Sequence, residues 1–124
     1  MAYDHYRRLV FVLRTKCPPA YPVSVRRVKI SKDKDGDCSL LNSKFYIRID
    51  KNLPENSCIE TLLHEWAHAR AWNHLHDSML WEEFEAVAHD ASWGVAYSEV
   101  YRVYEQHFLS ILADSGKCSK YRPR

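Results

Sequence analysis

A chain of 124 residues, 46% hydrophobic and 27% charged, suits one soluble domain with one core. A net charge of +2 is too small to mark a nucleic-acid-binding protein, and the apolar run "LVFVL" (9–13) is far too short to cross a membrane or direct export. Cys17, Cys38, Cys58 and Cys118 form no C-x-x-C pair, which excludes a zinc ribbon and a thioredoxin-like motif; reduced thiols in a cytoplasmic protein are expected.

The chain opens with a predicted helix over 3–16, whose Tyr6, Leu9, Val10 and Leu13 share a face and which Pro18-Pro19 stops. "VSVRRVKI" (23–30) reads as a strand whose alternation changes phase at Arg26-Arg27, a sign of a bulge or of burial on both faces. "KDKDGD" (32–37) reads as a hairpin turn centred on Asp35-Gly36, and "CSLL" (38–41) as a short strand. As a calcium loop the same turn would need carboxylates where Ser31 and Asn42 stand, so calcium is not expected. "KFYIRID" (44–50) is the clearest strand, with Phe45, Ile47 and Ile49 on one face. Ser57 with Glu60 forms a capping box ahead of a helix running from Cys58 to about Asn73. A long helical region follows Asp77-Ser78, starts with the acidic pair Glu82-Glu83, bends between His89 and Gly94, and reaches Leu112. Its later stripe is Tyr97, Val100, Tyr101, Tyr104, Phe108 and Ile111, and a basic tail ends the chain.

Within "LLHEWAHARAWNHLHD" (62–77), His64 and His68 are four apart on the predicted helix, so they project about 40° from one another and can share an ion. Glu65 lies one position round, within reach of a reacting water without ligating. This is the H-E-x-x-H pattern of zinc hydrolases, on a capped amphipathic helix as the chemistry requires. Chance histidines on a core helix are the bland alternative, and seven His in the chain raise its weight. A catalytic zinc takes three protein ligands. Three residues could be the third: His74, where Ala71 replaces the glycine of the longer H-E-x-x-H-x-x-G-x-x-H pattern, Glu85 on the following helix, or His89. His76 and Asp77 could orient a ligand imidazole, although a polar loop pair is commoner. Trp93 is expected to pack under the site, Tyr97 to face a developing oxyanion or sit in the core, and His5 and His107 to lie at the surface.

"LLHEWAHARAW" followed by "HDASWGVAY" resembles the SprT-like (Spartan-like) zinc metallopeptidases, particularly their small phage and bacterial members, over residues 57–104. That family carries H-E-x-x-H on one helix and a later His in a His-Gly-x-x-Trp/Phe context, places matched by His89 and Trp93. Asp90 stands where the family usually has glycine, and "MLWEEFEAV" adds an acidic segment between the motifs. The zinc ribbon of longer relatives is absent, since Cys118 stands alone. The resemblance implies a single α+β domain over 1–124 of zincin-like fold: an N-terminal helix, a short antiparallel sheet of two or three strands, the H-E-x-x-H helix and a long C-terminal helical region. It also implies one Zn²⁺ on His64, His68 and His89.

The expected activity is peptide-bond hydrolysis in a monomeric enzyme. Glu65 takes the proton of the attacking water and passes it to the leaving amine. An extended peptide or protein substrate would pair along an exposed strand edge, with 44–50 as the expected strand. The competing expectations are a non-catalytic zinc-binding regulatory module, against which Glu65 argues, and a DNA-associated module. DNA association is implied by the resemblance only, since basic residues cluster no further than Arg26, Arg27 and Lys29 and the tail.

Overall fold

The computed structural model describes residues 3–30, 33–72 and 89–114, with side chains described as far as Phe108. Among these residues the protein is α+β, with three helices and a three-stranded mixed sheet. The order is α1 (Asp4–Lys16), β1 (Val23–Val28), β2 (Gly36–Leu41), β3 (Lys44–Asp50), α2 (Glu55–Arg70) and α3 (Ala91–Asp114). No described helix is long and apolar enough to cross a membrane.

Helix α1 follows its apolar stripe, burying Tyr6, Leu9 and Leu13. Its N-cap, Tyr3, has φ 68° and no side-chain cap of its own. The missing acceptor comes from α2: the Tyr6 N–H donates to Glu55 Oε2 at 3.0 Å, and the Tyr3 hydroxyl donates to Leu53 O at 2.8 Å. The helix ends where Cys17 N–H donates to Leu13 O, just before the two prolines.

The sheet order is β1-β3-β2, and here the expected antiparallel sheet is corrected. Strand β3 pairs antiparallel with β2 but parallel with β1, from Val23 opposite Phe45 to Val28 opposite Asp50. Side-chain alternation reports which face a residue occupies, not the direction of its partner strand, so the sequence pattern allowed either. Strand β3 is therefore central, with both edges paired, and cannot receive a peptide; the edges are β1 and β2. The hairpin turn also moves. It is Asn42-Ser43, with φ 52° and 60°, the paired left-handed residues of a tight β2–β3 connection. Gly36 instead begins β2. Strand β1 keeps unbroken register through Arg26-Arg27 without a bulge. Arg27 shares the face of Ile49, and its guanidinium lies 3.9 Å from the Tyr3 ring centre and donates to Lys51 O at 2.7 Å.

Helix α2 begins at Glu55, after Pro54, rather than at Cys58, so Ser57 lies inside it and no capping box forms. It packs against β2 and β3 on one side and against α1 and α3 on others. Trp66, Leu62, Leu63 and Cys58 on α2, Ile47 and Ile49 on β3, Leu9 and Leu13 on α1, and Val100 on α3 are essentially solvent-free and form the core. Two polar ties hold α2 to the end of α1: the Trp66 indole N–H donates to Cys17 O at 2.7 Å, and Arg70 donates to Pro18 O at 2.8 Å. Arg70 also pairs with Glu99 of α3 at 2.9 Å.

Candidate metal centre

Helix α2 contributes His64, Glu65 and His68; the turn ahead of α3 contributes His89. The face of α2 opposite these residues carries Leu62, Cys58 and Trp66 into the core, which fixes the rotation of the helix and hence the outward aim of the histidines. His68 Nε2 lies 3.2 Å from His64 Nε2, and His89 Nε2 lies 3.1 Å from the same atom. One ligand nitrogen from each of the three falls within 4.8 Å of the others. No other group of three His, Cys, Asp or Glu among the described residues converges in this way.

Hydrogen bonding among the imidazoles does not account for this arrangement. A ring nitrogen has one in-plane position, filled by a proton or a lone pair, so His64 Nε2 cannot serve two neighbours well. An ion accepts all three lone pairs at once. Tetrahedral zinc with Zn–N bonds of about 2.0–2.1 Å sets its ligand nitrogens about 3.4 Å apart, close to the two observed separations. The donor set therefore fits a divalent metal. Burial, then the charge of His89, holds His64 below its ordinary pKa, which keeps its lone pair free near neutrality.

His89 is exposed and owes its place to its neighbours on α3. Asp90 is the N-cap of that helix: its Oδ1 accepts the Trp93 N–H at 3.2 Å and its carbonyl accepts the Gly94 N–H at 3.0 Å. The predicted bend over His89–Gly94 is thus a helix start at Ala91. Trp93 then lies against all three imidazoles, with ring centres 5.1 Å from His64, 5.6 Å from His68 and 4.7 Å from His89. Its indole N–H points at His64 O, 3.4 Å away. Trp93 packs beside the cluster, as expected of it. Tyr97 stacks on Trp93 at 5.0 Å, is partly buried, and lines a cavity with His64.

Glu65 is 7% exposed and is the only buried charged residue described. Burial, reinforced by the charge of Asp37 and opposed by Lys34, pushes its carboxyl up to about 7. A cation beside it would oppose that rise. It borders a cleft of ≈ 380 Å³ with Lys34, Asp35, Gly36, Thr61 and His64.

Gly36, expected in a turn, instead has a part in this cleft that the sequence pattern does not reveal. A Cβ there would stand 2.6 Å from Thr61 Cγ2 and 2.7 Å from Arg48 O, and 3.7 Å from Glu65 Cγ. Only a residue without a side chain lets β2 pass this close to α2 beside Glu65. The available signal was a lone glycine at the head of an alternating run, which marks close backbone approach as often as a turn. His107 is half-buried rather than at the surface; burial, then the charges of Arg8 and His5, holds it below its ordinary pKa. His74, His76, Asp77 and Glu85, and with them the two alternative third ligands, lie outside the described residues.

No family model matches this chain, no curated protein matches it, and no solved structure matches its fold.

Proposed function

We propose that this protein is a zinc metallopeptidase of the SprT-like kind with a zincin-like fold, in which His64, His68 and His89 hold the ion and Glu65 is the general base. The observation that carries the reading is the convergence of three imidazole nitrogens beside a buried carboxylate that is not needed to hold them. A purely structural zinc site closes with a fourth protein ligand and has no use for such a group.

When bound, zinc supplies Lewis acidity: it polarises a carbonyl and makes water acidic enough to attack near neutral pH. The chain's own residues do the rest. Glu65 takes the proton from the attacking water and delivers it to the leaving amine nitrogen. Its burial keeps competing solvent away. Trp93 walls one side of the imidazole cluster. Strand β2 is a sheet edge and borders the cleft at Gly36, so its free backbone groups can pair with an extended peptide laid across α2.

The test is metal content and hydrolysis together. Purified protein should contain about one zinc per chain and cleave unstructured protein substrates, and chelation should stop both. Glu65→Gln should keep the zinc and lose the cleavage. A Glu65→Gln protein that still cleaves would sink the mechanism, and a wild-type protein that binds zinc but cleaves nothing would favour the regulatory module.

A further inference from the structure

Beyond the ligands, α3 carries a continuous row of aromatic rings. Trp93 stacks on Tyr97, Tyr97 lies 5.9 Å from Tyr101, Tyr101 lies 5.6 Å from Tyr104, and Tyr104 stacks on Phe108 at 6.1 Å. The core needs only part of this helix: Ala96 and Val100 are buried, whereas Tyr101 remains 39% exposed. The three tyrosines form one wall of a cavity of ≈ 650 Å³ between α2 and α3. Its other lining includes Ile59, Leu63 and Glu60 of α2, and it reaches His64.

Glu60 and His64 also line the cleft on the β2 side. The two hollows therefore meet over the exposed face of α2, and a chain laid from the β2 edge across the cluster runs into the tyrosine wall. Among the described residues the far hollow has one charged side chain in its lining, the Glu60 carboxylate. Among the described residues no cation pairs with it. Glu60 lines the same hollow as Tyr97, Tyr101 and Tyr104.

We infer that this hollow is a side-chain subsite for lysine or arginine of the substrate peptide, with Tyr97, Tyr101 and Tyr104 as its aromatic wall and Glu60 as its counter-charge. The inference rests on the peptidase reading for the direction of the chain, but it assigns what that reading leaves open, the residue type selected. The aliphatic stem of a lysine or arginine covers Ile59 and Leu63, and its cation meets ring faces and a carboxylate, each of which attracts positive charge. An acidic side chain would meet the same carboxylate with the wrong sign. So would a nucleic-acid phosphate, which removes a single strand stacked on the tyrosines as the occupant. A purely apolar side chain would use the walls but leave Glu60 without a partner.

Zinc-loaded Glu65→Gln protein, which binds without turnover, is titrated with acetylated and amidated pentapeptides that hold lysine, norleucine, phenylalanine or glutamate at the centre of four alanines. Lysine should bind about tenfold more tightly than its uncharged isostere norleucine. In the same background, Glu60→Gln should reduce that preference to about threefold or less, and Tyr101→Ala should weaken the lysine peptide about fivefold. Both sites are exposed, so the fold is not at stake. Equal or tighter binding of norleucine or phenylalanine overturns the subsite, as does a lysine preference indifferent to Glu60→Gln. The wild-type protein is then assayed for cleavage of longer peptides. Lysine-selective binding with no cleavage overturns the peptidase reading and leaves the subsite standing; cleavage without preference for a nearby basic residue does the reverse.

Discussion

His64, Glu65 and His68 stand on a helix enclosed by the sheet, α1 and α3, whereas His89 stands on an exposed turn held by one cap and by edge-to-face contact with one indole. The α2 half is built by the same residues that build the core: Trp66 lies between its two histidines and is wholly buried. Among the described residues the His89 half has no comparable support. The difference teaches where each kind of damage should show. Changes around α2 should act on folding and changes around His89 on metal affinity, and a bound ion would add a further tie between the start of α3 and α2.

The largest effect should be on catalysis. Glu65→Gln removes the base and should lower kcat/KM by about 10³-fold or more, with zinc content unchanged. The ligands come next. His68→Ala and His89→Ala should each weaken zinc binding by more than about 100-fold in a competition titration with a colorimetric chelator, since even groups that only orient ligands are worth about 10–100-fold. The contrast lies in the metal-free proteins, where His89→Ala should melt at the wild-type temperature. If His74→Ala or Glu85→Ala abolishes zinc binding while His89→Ala does not, the two-halves picture is wrong.

Support for the α2 half is measured by Trp66→Phe. It removes the donor to Cys17 O and leaves a void, and should cost about 2 kcal/mol in urea unfolding with no zinc present. Support for the other half is measured by Asp90→Ala, which should cost about 1 kcal/mol and appear chiefly as roughly fivefold weaker zinc binding. Asp90→Gly should cost only a few tenths of a kcal/mol, because glycine is a tolerated N-cap.

The smallest effect is on the sheet. Burial alone would raise the Asp37 pKa, but hydrogen bonds from Arg48 and Lys34, and their charges, outweigh it and hold the carboxyl below its ordinary 3.8. A lowered folded value stabilises the protein above the unfolded pKa, and that stabilisation disappears as the pH falls through the folded one. Asp37→Asn should therefore remove part of the acid sensitivity, less than about 1 kcal/mol, seen by comparing urea unfolding at about pH 7 and about pH 2.

Much of this was legible in the sequence where one local pattern had one physical outcome. The stripe of α1, the alternation of β3 and the four-residue spacing of His64 and His68 each translate directly into a face. His89 was reachable through the His-to-Trp93 spacing and the resemblance it carries, not through periodicity. What stayed hidden depended on partners distant in sequence. The Ser57-Glu60 box looked sufficient to start α2, yet Glu55 begins the helix and turns its carboxylate to the first turn of α1. Asp35-Gly36 carries the stronger turn composition, but Gly36 sits where β2 grazes α2, and the β2–β3 turn is Asn42-Ser43. The direction of β1 was invisible for the same reason, since pairing is decided by the neighbour strand.

The four ties that secure α1 have a consequence for biosynthesis. Tyr6 to Glu55 and Cys17 to Trp66 each span 49 residues, Tyr3 to Leu53 spans 50, and Pro18 to Arg70 spans 52. A ribosome adding roughly 5–20 residues per second leaves the nascent first helix uncapped for about 2–10 s. During that interval Tyr6, Leu9 and Leu13 have no core to enter, and they offer a ready grip to a chaperone. Helix α1 is thus made well before it is fastened, and three of its four ties come from the very helix that carries His64 and His68.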